Sequence, residues 1–378
     1  MIIDEVDIFL LEHELATPRT YSTGSNTSRR ICLVRIRSDG GLDGWGECPA
    51  RPGIVGILEA TGRRLLGSDP LDGRRNLATV SSGVDTCAAS ALAIALDDLR
   101  ARLLGVPVHQ LYGGAISTAF RVYAASAGYV EDVPVADAWQ AEAARAIDQG
   151  LTAFKLRIGR FPVRTEAAAA RVLRSAFPDL DLMADANEAY TLPLALAMGH
   201  VLAELEFGWL EEPLPTRGYR GYAELTAQSA IAVAGGEALE RWADAVALSS
   251  SRLFDVVQPD VTICGGIGNA LRIAELAQLG GIEVVPHSCN GAIGMAATMQ
   301  LLSVLESASG SPAAQTPLLE MDFSENPHLR DLLDGAIAIT DGWAQLPLGS
   351  GLGVEVDERY VYDRSVEIRT ASGRKAGR

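Results

Sequence analysis

Cysteine is scarce in this sequence: its 378 residues include five, an odd number, and no two of them form a Cys-x-x-Cys pair. The odd number argues against a disulfide framework, and the missing pairs argue against a four-thiolate zinc site. We therefore expect reduced thiols and a cytoplasmic location. The acidic first residues lack the basic and apolar stretches of a signal peptide. No apolar run approaches the roughly 18 residues of a membrane span, so no membrane partner is expected.

Positive charge is also in short supply, because 32 lysines and arginines face 48 aspartates and glutamates, giving a formal net charge of −16. Proteins that bind phosphate backbones cluster their cations, so this balance argues against a nucleic-acid partner. Hydrophobic residues at 48% and charged residues at 21% are ordinary for a globular protein and argue against a disordered chain. The length exceeds the roughly 250 residues of one large domain, which favours two domains or one enlarged domain.

The first third of the chain, residues 1–115, is predicted to form an α+β domain. Its predicted elements are strands at 2–12 and 31–37, loops around 16–29 and 49–55, and a helix at 87–104. At the other end, residues 341–378 contain a glycine-rich turn followed by an alternating strand. A simple tail is one interpretation, but we favour a segment that returns to complete the N-terminal domain.

From about residue 119 a different pattern begins, in which short runs of strand-forming residues alternate with alanine-rich helical segments. Eight such units match a (β/α)8 TIM barrel in number and total length, and we assign residues 116–340 to it. A doubly wound sheet needs fewer units and a glycine-rich phosphate turn, so we rank it lower. The predicted strands begin at Phe120, Ala153, Leu180, Phe207, Ile231, Phe254, Ile282 and Leu318.

Titratable residues follow most of the predicted barrel strands. They are Lys155, Arg157, Asp185, Glu211, Glu237, Asp260, His287 and Glu320. Barrel enzymes carry their catalytic groups at the carboxyl ends of the strands. Charge at one strand end is unremarkable, but charge at the end of successive strands predicts an active site.

Three of these residues, Asp185, Glu211 and Glu237, end consecutive strands. Adjacent strands lie about 4.8 Å apart, so three carboxylates could converge on one point, where they would repel one another without a cation. An all-oxygen set completed by water is what Mg²⁺ prefers, and the lack of cysteine or histidine among them makes zinc the weaker choice. Three unrelated surface acids are the alternative.

The chain resembles the enolase superfamily, and within it the mandelate racemase subgroup, over nearly its whole length. The motifs that carry the resemblance are Gly44-Trp-Gly-Glu-Cys48, the segment 99–114, Lys155-Leu-Arg157, Asp185-Ala-Asn187, Glu211-Glu-Pro213, Gly235-Gly-Glu237, Gln258-Pro-Asp260, Pro286-His287 and the glycine-rich segment 350–355. The resemblance implies a modified barrel with an N-terminal capping domain and abstraction of a proton α to a carboxylate through an enediolate. It also implies Mg²⁺ held by Asp185, Glu211 and Glu237, with Asn187 near the metal and the substrate carboxylate.

The resemblance assigns further roles. It implies that His287 is the general base and Asp260 the carboxylate that orients it, a pairing that fixes the imidazole tautomer. Glu320 matches a residue that donates a hydrogen bond to the substrate carboxylate, which requires a protonated Glu320; a rim carboxylate is the alternative. His13, His200 and His328 are predicted on helix or loop surfaces instead.

One position departs from the subgroup, which has Lys-x-Lys on the second barrel strand where this chain has Lys155 and Arg157. Guanidinium does not accept a proton at neutral pH, so one face of the intermediate lacks a base. This counts against a racemase or epimerase and favours elimination with a single base, His287. Lys155 keeps a binding role, and Arg157 either clamps a carboxylate or forms a structural ion pair with a metal-site carboxylate.

The predicted substrate is therefore a small carboxylate, most simply a sugar acid that is dehydrated. Alternatives are a cycloisomerase acting on an aldarolactone and a non-catalytic metal-binding barrel. Substrate contacts are expected from the two N-terminal loops, and the candidates are Tyr21, Ser22, Arg29, Arg30 and Arg51. We also expect a homo-oligomer.

Overall fold

The computed structural model describes residues 1–126, 128–240, 246, 248, 250–306, 317–335 and 337–373, which are arranged around two sheets. The first sheet contains β1 Ile3–Thr20, β2 Ser25–Ser38, β3 Asp43–Pro49 and β14 Ser365–Ser372. The second contains β4 Ala119–Ala125, β5 Ala153–Arg157, β6 Asp181–Asp185, β7 Trp209–Glu211, β8 Ala232–Gly235, β9 Val256–Val257, β10 Glu283–Val284, β11 Leu318–Asp322, β12 Ile339–Thr340 and β13 Trp343–Gln345.

The helices are α1 Ile54–Gly62, α2 Gly73–Ser81, α3 Thr86–Leu104, α4 Val135–Asp148, α5 Val163–Ala176, α6 Leu192–Glu204, α7 Tyr222–Gln228, α8 Ile267–Leu279, α9 Ala292–Val304, α10 Pro327–Arg330 and α11 Glu358–Arg364. Short 3₁₀ turns lie at Arg63–Leu65, Val108–Tyr112 and Arg217–Tyr219. In the part of the chain that the structure describes, no helix is both long enough and apolar enough to cross a membrane.

The first sheet is the core of the capping domain, with strand order β14-β1-β2-β3. Helix α3 packs against this sheet. Asp85 caps the start of the helix, because its carboxylate accepts hydrogen bonds from the N–H groups of Cys87 and Ala88, and Gly105 caps the end in the left-handed conformation. Gly44 and Gly46 on β3 let that strand approach α3 closely, because a Cβ at either position would collide with a backbone oxygen of the helix. The glycines of the Gly44-Trp-Gly46 motif therefore serve packing within the cap.

The C-terminal segment pairs with the N-terminal strand. β14 lies antiparallel to β1, with Glu5 opposite Ser372 and Leu10 opposite Glu367. A return of the chain to the capping domain is thus present in the sheet. The preceding hairpin, β12–β13, belongs to the other sheet, because β13 pairs antiparallel with β4. The domain boundary predicted between 340 and 341 falls within that hairpin.

The N-terminal hairpin is longer than predicted. The stretch 16–29, expected as a loop, is mostly strand, because β1 continues to Thr20, β2 begins at Ser25, and a turn of four residues joins them. The prediction was wrong for two reasons. A register shift between Glu14 and Arg19 interrupts the alternation of polar and apolar residues, and both faces of the outer part of the hairpin, here called the arm, are largely polar and exposed. The arm extends beyond the sheet and contacts the barrel.

The eight predicted barrel strands are present as β4 to β11. Strands β4 to β10 pair in parallel in chain order, and β11 pairs in parallel with β4. In the described residues no backbone pairing joins β10 to β11, but a side chain does, because the Ser288 N–H donates to Glu320 Oε2 at 2.8 Å. Parallel strands place all their carboxyl ends at one edge, and that edge carries the predicted site.

His328, expected on a surface, is fully buried in α10. Its Nδ1 lies 3.0 Å from the Tyr360 hydroxyl, and burial lowers its pKa to about 4. An unfolded histidine has a pKa near 6.5, so the unfolded chain binds a proton in the window between about pH 6.5 and 4 while the folded chain does not. Stability is therefore full above this window and is lost as the pH falls through it.

We expect this histidine to contribute up to about 3 kcal/mol of pH-dependent stability. Urea unfolding at pH 7.5 and pH 4.5 should show a smaller difference in unfolding free energy for His328→Gln than for the native chain. His200→Gln, whose imidazole is 70% exposed on α6, is the control and should keep the native difference. An equal difference in His328→Gln and the native chain would contradict this prediction.

Candidate active site

The carboxyl ends of neighbouring strands bring three predicted site residues side by side. Arg157 on β5 lies opposite Asp185 on β6, and Asp185 lies opposite Glu211 on β7. All three are buried, with Asp185 2% and Glu211 1% exposed. In a parallel sheet, residues at paired positions point to the same face. Each of these strands is a hydrophobic run that ends in a polar residue, and the runs end at paired positions of the sheet. These polar side chains therefore lie side by side at the barrel edge.

Each of the three predicted metal ligands contacts a cationic side chain. Arg157 Nη1 lies 2.5 Å from Asp185 Oδ2, and Lys155 Nζ lies 2.5 Å from Glu211 Oε1. His287 Nε2 lies 3.1 Å from Glu237 Oε2. Each predicted metal ligand is thus paired with a different side chain, and the pair with His287 is ionic when the imidazole is protonated.

The donor set at these strand ends fits a hard cation in its chemistry. The pKa of Glu237 is raised by burial and, against the opposing effect of His287, by the nearby charges of Asp185 and Glu211. Carboxylates close enough to repel one another, with oxygen as their only donor atom, form the kind of set that Mg²⁺ prefers. Their oxygens are directed at the three cations just described.

A second group of metal-type donors lies beside the first. Among the described residues, His287, Cys289 and Glu320 are the group whose ligand atoms lie within 4.8 Å of one another. Nitrogen, sulfur and oxygen donors together are typical of zinc rather than magnesium. In the structure these atoms already have partners, because Glu320 binds Lys155 at 2.6 Å and His287 binds Asp260.

His287 and Asp260 form the predicted dyad. His287 Nδ1 lies 2.7 Å from Asp260 Oδ2, and the imidazole is 13% exposed. The other carboxylate oxygen accepts from the Thr262 N–H at 2.7 Å and hydroxyl at 2.6 Å, and from Asn290 Nδ2 at 3.3 Å. Asp260 is therefore held rigidly, and it directs Nε2 of the ring into the site.

The carboxylates around the ring favour its protonated form. Burial acts to lower the pKa of His287, but the charges of Glu237 and Glu320 and the hydrogen bond to Asp260 raise it well above its usual range. Lys155 behaves alike: burial opposes its charge, yet Glu211 and Glu320 raise its pKa well above normal. The site thus contains a lysine that stays positively charged, beside a histidine whose protonated form is stabilised by the surrounding carboxylates.

The pKa of Glu320 is lowered, which favours its carboxylate form over the protonated form that we expected. Burial acts to raise its pKa, but Lys155 and His287 lower it. Its oxygens accept hydrogen bonds from the Lys155 ammonium and the Ser288 N–H. A carboxylate with these partners is an acceptor and does not donate to an anionic substrate. The local sequence gave no sign of this, because Lys155 lies far away along the chain.

Arg157 forms the ion pair that was one of its two predicted roles. The same Nη1 that contacts Asp185 lies 2.7 Å from Asn187 Oδ1, and Asn187 Nδ2 donates to Asp185 at 3.1 Å. Arg157 Nε is buried and has no hydrogen-bond partner within the described part of the chain. Its role as a carboxylate clamp stays a prediction.

The capping domain reaches the barrel mouth through the turn at 21–24. Ser22 Oγ donates to the Ala186 carbonyl oxygen at 2.8 Å, next to Asp185 and Asn187. The Tyr21 carbonyl oxygen accepts from Arg160 at 3.4 Å. Predicted contacts of this turn with substrate stay predictions, but the turn does lie beside the strand ends.

The three arginine candidates are held by carboxylates. Arg29 forms an ion pair with buried Asp322, just after Glu320, so it is less accessible than predicted. Arg30 lies 3.4 Å from Glu12, and Arg51 lies 2.7 Å from Glu240, three residues beyond Glu237.

Two residues near the site escaped prediction. Glu47 on β3 accepts from the Gly291 and Gly294 N–H groups at 2.5 and 2.9 Å, so the cap holds the start of α9 just after His287. Arg19 on β1 directs its guanidinium at Cys289, with Nη2 3.9 Å from Sγ. The Gly-Trp-Gly-Glu-Cys motif marked Glu47 without indicating its partner, whereas no pattern marked Arg19.

Comparison with known proteins is consistent with this geometry. Residues 4–113 match the family model for the mandelate racemase / muconate lactonizing enzyme N-terminal domain, and residues 138–360 match the enolase C-terminal domain-like family. D-galactarolactone cycloisomerase of Agrobacterium fabrum is 32% identical, over 94% of this chain and 97% of that protein. D-galactonate dehydratase of Ralstonia nicotianae is 27% identical, over 89% of this chain and 91% of that protein.

Solved structures agree with these matches. L-talarate/galactarate dehydratase from Salmonella typhimurium superposes with a TM-score of 0.84 at 25% identity, covering 99% of this chain and 94% of that one. A mutant of L-talarate/galactarate dehydratase was solved with Mg and L-glucarate. The relatives thus include acid-sugar dehydratases and an aldarolactone cycloisomerase.

Proposed function

The chain belongs to the mandelate racemase/muconate lactonizing enzyme family of the enolase superfamily, and on this basis we propose that it is a Mg²⁺-dependent sugar-acid dehydratase. In the proposed reaction the proton α to the substrate carboxylate is removed and the β-hydroxyl leaves as water. A homo-oligomer in the cytoplasm remains part of the proposal.

The observation that carries the proposal is the single dyad of the site. His287, oriented by Asp260 at 2.7 Å, presents Nε2 to the space between Glu237 and Glu320. The position where the family has a second lysine base is Arg157, which does not accept a proton. One base supports removal of the α-proton and then, as imidazolium, protonation of a leaving group from the same face.

The remaining residues bind and neutralise charge. Lys155 stays an ammonium and is placed to stabilise negative charge that develops on the substrate carboxylate. Asp185, Glu211 and Glu237 would hold Mg²⁺, which when bound supplies a Lewis acid for that same charge. Asn187, tied to Asp185, is placed to orient the carboxylate beside them.

A second candidate reaction is the isomerisation of an aldarolactone, in which a ring oxygen leaves instead of a hydroxyl. The observation that favours it is the 32% identity with a D-galactarolactone cycloisomerase over nearly all of both chains. The same dyad serves both reactions, because each eliminates a group β to the carboxylate after loss of the α-proton.

A panel of sugar acids and their lactones, incubated with Mg²⁺ in deuterated water, tests the proposal. Loss of one water from an acid supports dehydration, whereas conversion of a lactone without change of mass, apart from deuterium, supports cycloisomerisation. If no member of the panel shows turnover or α-proton exchange, the non-catalytic metal-binding barrel becomes the better explanation.

We expect turnover without epimerisation at the α-carbon, because Arg157 leaves one face without a base. NMR of recovered substrate should show no epimer with the native enzyme. Arg157→Lys restores an amine at this position, and slow epimer formation by this variant is the expected contrast. Epimer formed by the native enzyme at a rate near that of elimination would contradict the single-base scheme.

A further inference from the structure

Arg19 reaches the reacting centre from the capping domain. It lies at the outer end of β1, opposite Asn26, on the arm that projects over the barrel. Its Nη2 is 3.9 Å from Cys289 Sγ, and that sulfur is in turn 3.9 Å from Glu320 Oε1. Glu320 binds Lys155, so three successive contacts lead from the guanidinium through Cys289 and Glu320 to the Lys155 ammonium.

The hydrogen-bond donors of Arg19 are poorly satisfied. Its Nε is buried and has no hydrogen-bond partner among the residues that the structure describes. Its Nη2 meets a sulfur, which is a weak acceptor. The guanidiniums of Arg29, Arg35 and Arg157, by contrast, each contact a carboxylate at ion-pair distance.

The carboxylate whose pKa Arg19 lowers, Asp322, is already occupied. Asp322 is buried, and although burial acts to raise its pKa, Arg19 and Arg29 together lower it to about 2. Its oxygens are bound by Arg29, by the Ser324 hydroxyl at 2.7 Å and by Asn326 Nδ2 at 3.1 Å. Two guanidiniums beside one carboxylate leave one positive charge uncompensated at the mouth of the barrel.

A partly buried guanidinium that shares one carboxylate with a second arginine and has an unbonded Nε is costly, so its position beside the active site indicates that a ligand supplies a further anion. We propose that Arg19 binds a second carboxylate of the substrate, which makes the substrate a sugar diacid or its monolactone rather than a monoacid. This inference rests on the proposed function, because both assign the binding of the reacting carboxylate to Lys155.

A six-carbon diacid separates its two carboxylates by several bonds. Bonds of about 1.5 Å place the two ends of an extended six-carbon chain about 6 Å apart. Cys289 connects Arg19 to Glu320, because its sulfur lies 3.9 Å from an atom of each. A planar carboxylate matches the fork of the guanidinium, with Nε and an Nη as the two donors.

Kinetics with matched acids test this inference. The substrates are an aldonate and an aldarate of the same length and configuration, and the variants are Arg19→Met and Arg19→Lys. We expect native kcat/KM to be about 10- to 100-fold higher for the diacid, which is the range for one charge-assisted hydrogen-bonded pair. Arg19→Met should lose this preference while changing kcat/KM for the monoacid less than about threefold, and Arg19→Lys should retain part of it.

Arg63→Met is the matched control, since Arg63 lies in the same capping domain with a side chain 55% exposed, and this variant should leave kcat/KM for both acids unchanged. Equal native rates with both acids, or an equal loss on both in Arg19→Met, would overturn the assignment, and so would a preference for a terminally phosphorylated acid. If neither acid undergoes α-proton exchange, the proposed function has failed. Calorimetric binding of the same two acids to native and Arg19→Met protein then still decides the role of Arg19.

Discussion

His287→Asn is expected to lower the rate of α-proton exchange by a factor of about 10² to 10⁴, the contribution of a positioned general base. Asparagine retains a donor toward Asp260 but has no group that accepts a proton. The rate of deuterium incorporation into substrate, followed by NMR, measures the effect directly and does not depend on which group leaves.

Two measurements make this result specific. Mg²⁺ binding by calorimetry should survive in His287→Asn, because the three predicted ligands are untouched. His200→Asn, on the exposed face of α6, should exchange the proton at the native rate. Undiminished exchange in His287→Asn would contradict the assignment of His287 as the base. Lys155 would then be the next residue to test as the base.

Removing the divalent cation is expected to abolish turnover, with a loss on the order of 10³-fold or more, because a bound metal contributes several kcal/mol to stabilising developing charge. Dialysis against a chelator followed by addition of Mg²⁺ should remove and restore activity. Asp185→Asn should weaken Mg²⁺ binding in calorimetry and lose activity even with Mg²⁺ in excess.

Asp181→Asn offers a matched control on the same strand. Asp181 begins β6, its side chain is 61% exposed, and it binds Arg121 rather than any predicted site residue. This variant should bind Mg²⁺ and turn over substrate as the native chain does. Activity that survives chelation, or that Zn²⁺ restores and Mg²⁺ does not, would contradict the magnesium assignment and favour the donors His287, Cys289 and Glu320.

The barrel and most of its polar strand ends were predictable because their signals are local. A hydrophobic run that ends in a charged residue, such as the run that ends at Asp185, predicts a strand. It also predicts that the charged side chain lies at the carboxyl edge of the sheet. The order of eight such runs then defines which ends are neighbours. The roles of Asp260 and His287 required the resemblance as well, because they lie in the connections beyond β9 and β10.

What escaped prediction depends on partners distant in the chain. The pKa of Glu320 is lowered because Lys155, 165 positions earlier in the sequence, binds it at 2.6 Å, and no local pattern indicates that contact. Arg19 lies in a polar hairpin arm without a periodic pattern, so nothing distinguishes it from its exposed neighbours. His328 is buried by packing against Tyr360 and the hairpin, not by a local apolar pattern.

The pairing of β14 with β1 sets an order for biosynthesis. The strand that carries Arg19 at its outer end emerges from the ribosome before the barrel, whereas β14, which borders that strand, is made after every strand of the barrel. β1 therefore keeps one unprotected edge throughout synthesis of the barrel, and the cap is completed only when translation has passed Ser372. A nascent chain with a finished barrel therefore already contains the arm over its active site but still lacks β14, the strand that completes the sheet supporting that arm.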